Sequence, residues 1–172
     1  MFALGVGVVV FVFMMVGFHR GLLTSVLHLS STLFGLWIAK QFYQPFSDYL
    51  RLFLPFPKTL AYDVHYVLSL NQPEIRFDRI CGFIFIVLIV KTLMYLVLNS
   101  LAPLFVSRRR DVITRLLGAL VSVVSAIVVL HLASYVAVLI PDVQLQTHIA
   151  QSCIGQWLVF NVPLLSEVTL NL

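Results

Sequence analysis

Four runs of apolar side chains, residues 2–18, 22–39, 80–106 and 116–140, occupy just over half of this 172-residue chain. A helix rising about 1.5 Å per residue needs ~20 residues to cross a hydrocarbon layer ~30 Å thick, and each run is near or above that length. The chain therefore reads as an all-α, multi-pass membrane protein with four transmembrane helices. Hydrophobic residues make up 60% of it and charged residues 10%, so it cannot cover its own apolar surface in water as a soluble domain with about 25% charged residues does. Its length leaves room for a single integral-membrane domain, 1–172, with no separate soluble unit.

The first two runs nearly touch. Residues 2–39 as one helix would be ~57 Å long, almost twice the apolar thickness, so the chain must reverse inside that stretch. The place for it is Gly17-Phe18-His19-Arg20-Gly21, where two glycines free the backbone and His19 and Arg20 are the first polar pair. Arg20 is expected to donate to the open carbonyls that end the first helix. No Lys or Arg precedes the first run and no small-x-small cleavage site follows it, so it reads as a retained span.

Residues 44–79 are too polar to span, and Pro45, Pro55, Pro57 and Pro73 interrupt them. Their many aromatic residues suit the headgroup layer. They read as an interfacial loop with short helices at about 46–54 and 58–70. The amphipathic tail, 142–172, reads as another interfacial helix, with Ile149, Ala150, Cys153, Ile154, Trp157 and Leu158 on one face and Thr147, His148, Gln151, Ser152 and Gln156 on the other. A fifth span is not expected there, because it would bury Gln144, Gln146, His148 and Gln151.

Basic residues close to span ends set orientation. Arg108, Arg109, Arg110 and Arg115 cluster between spans 3 and 4, and Arg20 lies between spans 1 and 2. Both connections are assigned to the cytoplasm and both termini to the outside. The four clustered arginines also suit anionic lipid, at about 1 kcal/mol each near the surface. Nucleic acid is not an expected partner, since a loop pinned between two spans cannot follow a duplex.

Span 2 is the most patterned segment. Thr24, Ser25, His28, Ser31, Thr32 and Gly35 share one helical stripe, and in lipid such a stripe faces protein or trapped water. Ser31, Gly35 and Ala39 repeat every four residues, as do Gly118, Ser122 and Ala126 in span 4, a spacing that lets helix backbones approach closely. Two readings stand: helix packing, or a polar path along Thr24, Ser25, His28, Ser31 and Thr32 that Lys91 of span 3 joins as an anion contact. Lys91 has no Asp or Glu partner in any of the four runs. With Arg108 as the cytoplasmic marker it lies ~9 Å below the outer surface, within partial reach of snorkelling. His28 and His131 read as hydrogen-bonded packing residues, and Cys81 and Cys153 as inert packing residues. No metal site, cofactor site or catalytic residue is expected.

Several segments carry a family likeness. The turn Gly17, Phe18, Arg20, Gly21, the stretch Ala39-Lys40-Gln41-Phe42-Tyr43-Gln44-Pro45-Phe46 and the start of span 4 at Arg115-Leu116-Leu117-Gly118-Ala119 together resemble the colicin V production protein family. The region around Ser152, Pro163, Leu164 and Ser166 is similar to that family's C-terminal stretch. The resemblance implies a bacterial cytoplasmic-membrane protein with a role in bacteriocin or toxin production or export and in envelope upkeep, and supplies no molecular mechanism. This chain departs from many relatives at Ser25, where they carry an acidic residue, and at Ser122 and Ala126, where they carry glycines.

No phosphate-cradling loop, His-Glu-x-x-His motif, carboxylate pair or nucleophile elbow occurs, so no enzyme is expected. The leading expectation is an accessory membrane protein, forming a homo-oligomer or joined to a membrane partner protein. The alternative is a small oligomeric channel or transporter using the span 2 stripe.

Overall fold

The computed structural model describes residues 2–50, 73–105, 111–140, 142–163 and 165–170, without the side chains of 73, 74 and 102–105. Seven helices account for nearly all of them: α1 (Phe2–Arg20), α2 (Leu22–Leu50), α3 (Pro73–Phe105), α4 (Val112–Leu139), α5 (Val143–Ala150), α6 (Cys153–Phe160) and α7 (Leu165–Leu170). The first four are long and apolar enough to cross a membrane, and no strand occurs among the described residues. The fold class expected from the apolar runs is the one observed.

The spans do not follow chain order in space. The main contacts are α3 with α2, α2 with α4, and α4 with α1, so α4 lies between the two helices that the Gly21 turn joins. It is also the most buried of the four. Helices α1 and α2 touch little despite being separated by one residue. The start of α4 reaches back to Gly17 and Gly21, which puts it at the same end of the bundle as the α1–α2 turn.

All four spanning helices are longer than their apolar runs, α2 the most, and α3 begins at Pro73, inside the stretch expected as an interfacial loop. α2 continues past Ala39, through Pro45, to Leu50, and the segment expected as a separate helix at 46–54 is its continuation as far as Leu50. Residues 51–54, Pro55, Pro57 and the helix expected at 58–70 lie outside the described residues. A proline inside a helix removes one backbone bond. Pro45 is tolerated because a 29-residue helix is ~43 Å long, so its last turns project beyond a ~30 Å hydrocarbon layer into a hydrated zone.

The tail differs from the single amphipathic helix expected. It breaks at Gln151–Ser152, where the Ser152 hydroxyl accepts from the Gly155 amide and caps α6. Its three short helices pack on α4: Ile149, Leu158, Val159 and Thr169 are buried, while Cys153, Ile154 and Trp157, expected on the inner face with Ile149 and Leu158, are exposed. Cys153 is therefore not a packing residue. Gln146 is fully buried and its amide donates to the carbonyls of Val138 and Ile140 at 3.1 and 3.0 Å, satisfying groups that the end of α4 leaves open. The aliphatic core lies at this end, formed by Ala39 of α2, Ile80, Phe83 and Val87 of α3, Val128, Leu132, Val138 and Leu139 of α4, and the tail.

Candidate functional site

The turn that joins α1 to α2 is a single residue. Gly21 has φ 79°, a left-handed conformation that glycine adopts without Cβ strain. Its amide donates to the Gly17 carbonyl at 2.9 Å, and its own carbonyl accepts from Ser25 at 3.1 Å, so one helix ends and the next begins at the same peptide. The Gly17 carbonyl is thus taken by Gly21 rather than by Arg20.

Into this turn fits the start of α4. A Cβ on Gly118 would lie 2.6–2.8 Å from backbone atoms of Gly17 and Gly21, and one on Gly17 would lie 2.5 Å from the Gly118 carbonyl oxygen. Backbone meets backbone, so no rotamer change can relieve an added methyl. Ser122 then donates to the Ser25 hydroxyl at 3.5 Å, and Arg115 sits over the Phe18 ring, 5.9 Å from its centroid. Of the packing residues named from sequence, Gly35, Ala39, Gly118, Ser122 and Ala126 are all buried. Arg115 is exposed beside the turn; Arg108, Arg109 and Arg110 lie outside the described residues.

The stripe on α2 divides between two neighbours. Ser25 faces Ser122 of α4, whereas Thr32 faces α3, where Lys91 Nζ donates to Thr32 Oγ1 at 2.8 Å. The Thr32 hydroxyl in turn donates to the His28 carbonyl at 2.9 Å, leaving its lone pairs for the ammonium. One helical turn nearer the Gly21 end, the His28 ring lies against Tyr95, centroids 5.8 Å apart. A further turn brings Thr24 to the level of Asn99. The helices run antiparallel in a steady register, so groups four apart on α2 meet groups four apart on α3.

This polar seam ends at Lys91. Beyond it Gly35 packs on Val87 and Val90, with ordinary van der Waals room, and Ala39, Phe83 and Ile80 are buried. Thr32 lies ten residues into α2, ~15 Å from its start and hence near the middle of a ~30 Å layer. The Lys91 head group is turned into the bundle, not towards the outer surface as a snorkelling side chain would be. Thr24, His28 and Lys91 are half-buried, Ser25, Ser31 and Thr32 buried, and Tyr95 is 43% exposed. Ser31, 2% exposed, has no hydrogen-bond partner for its hydroxyl.

Tyr95 and Asn99 were missed in the sequence, although Lys91, Tyr95 and Asn99 repeat every four residues just as Thr24, His28 and Thr32 do. The pairing of these two rows is the signal. Also unforeseen is a second polar group at the opposite end: His131 contacts the Leu158 carbonyl through Nδ1 and Thr169 Oγ1 through Nε2 at 3.0 Å. Arg76 donates to Tyr135 Oη at 3.1 Å and to the Leu170 carbonyl at 2.8 Å. His131 is therefore the hydrogen-bonded packing residue that the sequence implies.

Among the described residues no group of three His, Cys, Asp or Glu side chains is placed to hold a metal. What the seam offers chemically is a basic side chain and a ladder of hydrogen-bonding side chains at hydrocarbon depth. Neither a curated protein nor a solved structure matches the chain. The sequence profile of the family described as Colicin V production protein matches residues 2–163, a range that holds the Gly21 turn, all four spans and the polar seam, and the chain belongs to that family.

Proposed function

We propose that this protein is an accessory component of the bacterial cytoplasmic membrane, acting in bacteriocin or toxin production or export and in envelope homeostasis. It does so without catalysis, as a homo-oligomer or with a membrane partner protein, and with anionic lipid at its arginines. The α1–α2 turn and the α3–α4 connection face the cytoplasm and the termini face outside. The supporting observation is that the polar seam is blind: it runs from the Gly21 end to Lys91 and stops against the packed residues Gly35, Val87 and Ala39. One copy with a seam of this form suits binding better than passage.

The test is deletion and complementation in a producing strain. Loss of the gene is expected to lower released bacteriocin and to sensitise the envelope to detergent, and both should return with the intact protein. Unchanged bacteriocin release and unchanged envelope resistance would sink the proposal.

A second reading, an oligomeric channel or transporter along Thr24, Ser25, His28, Ser31, Thr32 and Lys91, draws on the orphan Ser31 hydroxyl, a group that is costly in a dry interior. It predicts solute flux in proteoliposomes that Thr24→Leu plus Ser31→Leu abolishes in a folded protein. A symmetric ring in nanodiscs is also expected, because four thin helices hold no pore of their own.

A further inference from the structure

We propose that the polar half of the α2–α3 seam binds an oxyanion of the phosphate class, which enters from the Arg20 end and is held by the ammonium of Lys91. This deepens the second reading above by naming a ligand for the same stripe, but it requires no passage through the membrane.

The first ground is charge. Lys91 places its amine near mid-membrane, where an ammonium without a counter-charge is strongly disfavoured, and none of the four apolar runs contains an Asp or Glu to neutralise it. The second is hydrogen bonding. An ammonium has three donors, and only one, to Thr32, is used among the described residues. Thr32 is neutral and already bonded to the His28 carbonyl, so it orients Lys91 without cancelling its charge.

The third ground is the approach. From Lys91 towards the turn, the His28 ring lies against the exposed Tyr95, the exposed Asn99 follows one helical turn on, and the Arg20 guanidinium acts electrostatically on both His28 and Lys91. Two basic side chains, Arg20 and Lys91, therefore share the seam with a row of neutral polar groups. An anion gains from both basic groups and finds donors beside them, whereas a cation meets repulsion from each. The packing of Gly35 against Val87 and Val90 closes the other side, so the ligand enters and leaves by one route. An oxyanion fits better than a halide because its several oxygens can accept from separated donors at once. Such an anion comes from a lipid headgroup sliding in from the leaflet or from a free phosphate compound in the aqueous phase.

The test uses the full chain in phosphatidylcholine nanodiscs. The chain has three lysines, Lys40, Lys58 and Lys91, so their side-chain 13Cε signals are few, and Lys91→Arg identifies the one of interest. Phosphatidylglycerol is titrated into the nanodisc in one arm and inorganic phosphate into the buffer in the other. The Lys91 signal is expected to be that of a charged ammonium and to shift in at least one arm; a response to phosphatidylglycerol alone assigns the headgroup, and a response to phosphate alone assigns the soluble anion. Lys91→Met should weaken the retained ligand seen by native mass spectrometry by about tenfold or more, as loss of a charge-assisted bond implies, with Lys91→Arg still binding. A neutral Lys91 amine, or a signal unmoved by both probes, overturns the site, and this holds on the wild-type protein even if Lys91→Met does not fold. Flux through the same protein in sealed proteoliposomes separates the two readings: binding without flux removes the conduit and leaves the site, and flux without binding removes the site.

Discussion

At the Gly21 end of the bundle, helices meet backbone to backbone; at the opposite end, apart from Gly82 against Ser47, they meet through large side chains. Gly17, Gly21 and Gly118 are in contact at the first, with a single pair of serine hydroxyls beyond them. Tyr135, Phe83, Ile80, Leu139 and Ile149 fill the second, laced by His131, Arg76 and Gln146. Water expels apolar side chains, but lipid tails are as apolar as leucine, so between spans a close fit by dispersion takes the place of hydrophobic drive. The tail end, reaching towards water, assembles an ordinary aliphatic core with its polar groups satisfied. The two ends therefore fail in different ways.

Gly118→Leu should have the largest effect. Its side chain would drive into the backbone of Gly17 and Gly21, which cannot yield, and a loss above about 3 kcal/mol is expected. The protein should aggregate on size-exclusion chromatography in detergent. Gly5→Val, where nothing lies within 4 Å, should elute as wild type; equal behaviour of the two variants would refute a backbone crossing at the turn.

His131→Ala is next, at about 3 kcal/mol, since it opens a buried void and strands the Leu158 carbonyl and the Thr169 hydroxyl. Limited proteolysis should then cut within α6 or α7 while the four spans stay intact. Simultaneous loss of the spans would mean that the two ends are not separable.

Gly21→Ala forces a Cβ into a left-handed residue and should cost about 1–2 kcal/mol, read as a lower melting temperature in detergent. Tyr135→Phe removes one acceptor from Arg76, which keeps the Leu170 carbonyl, so about 1 kcal/mol is expected. Should Tyr135→Phe prove more damaging than Gly21→Ala, the ranking of the two ends would be reversed. Smallest is Arg115→Gln, which removes an exposed cation from the Phe18 ring and should cost about 0.5–1 kcal/mol.

Much of the architecture was legible in the residues because it follows from one-dimensional quantities. Run length against bilayer thickness implies four crossings, and the small-residue spacing of α2 and α4 marks the faces that are in fact buried. The Gly17–Gly21 reversal follows from the impossible length of a single helix. Helix ends were less legible. Pro45 signals a break in water-soluble contexts, yet α2 runs through it, since a projecting turn loses little by giving up one backbone bond. The tail misled for another reason: Gln146 looks like a surface residue by type, but the unfinished carbonyls at the end of α4 give its amide two partners.

The sequence alone determined the solvent, the number of crossings, the place of the turn and the presence of a lysine within a span, because each depends on local composition and length. Only the tertiary structure decided that α4 inserts between α1 and α2, that Lys91 bonds to Thr32, and that the polar seam stops halfway. Those facts depend on which helix faces which and in what register, and periodicity along one helix carries no information about its neighbour until the two are packed together.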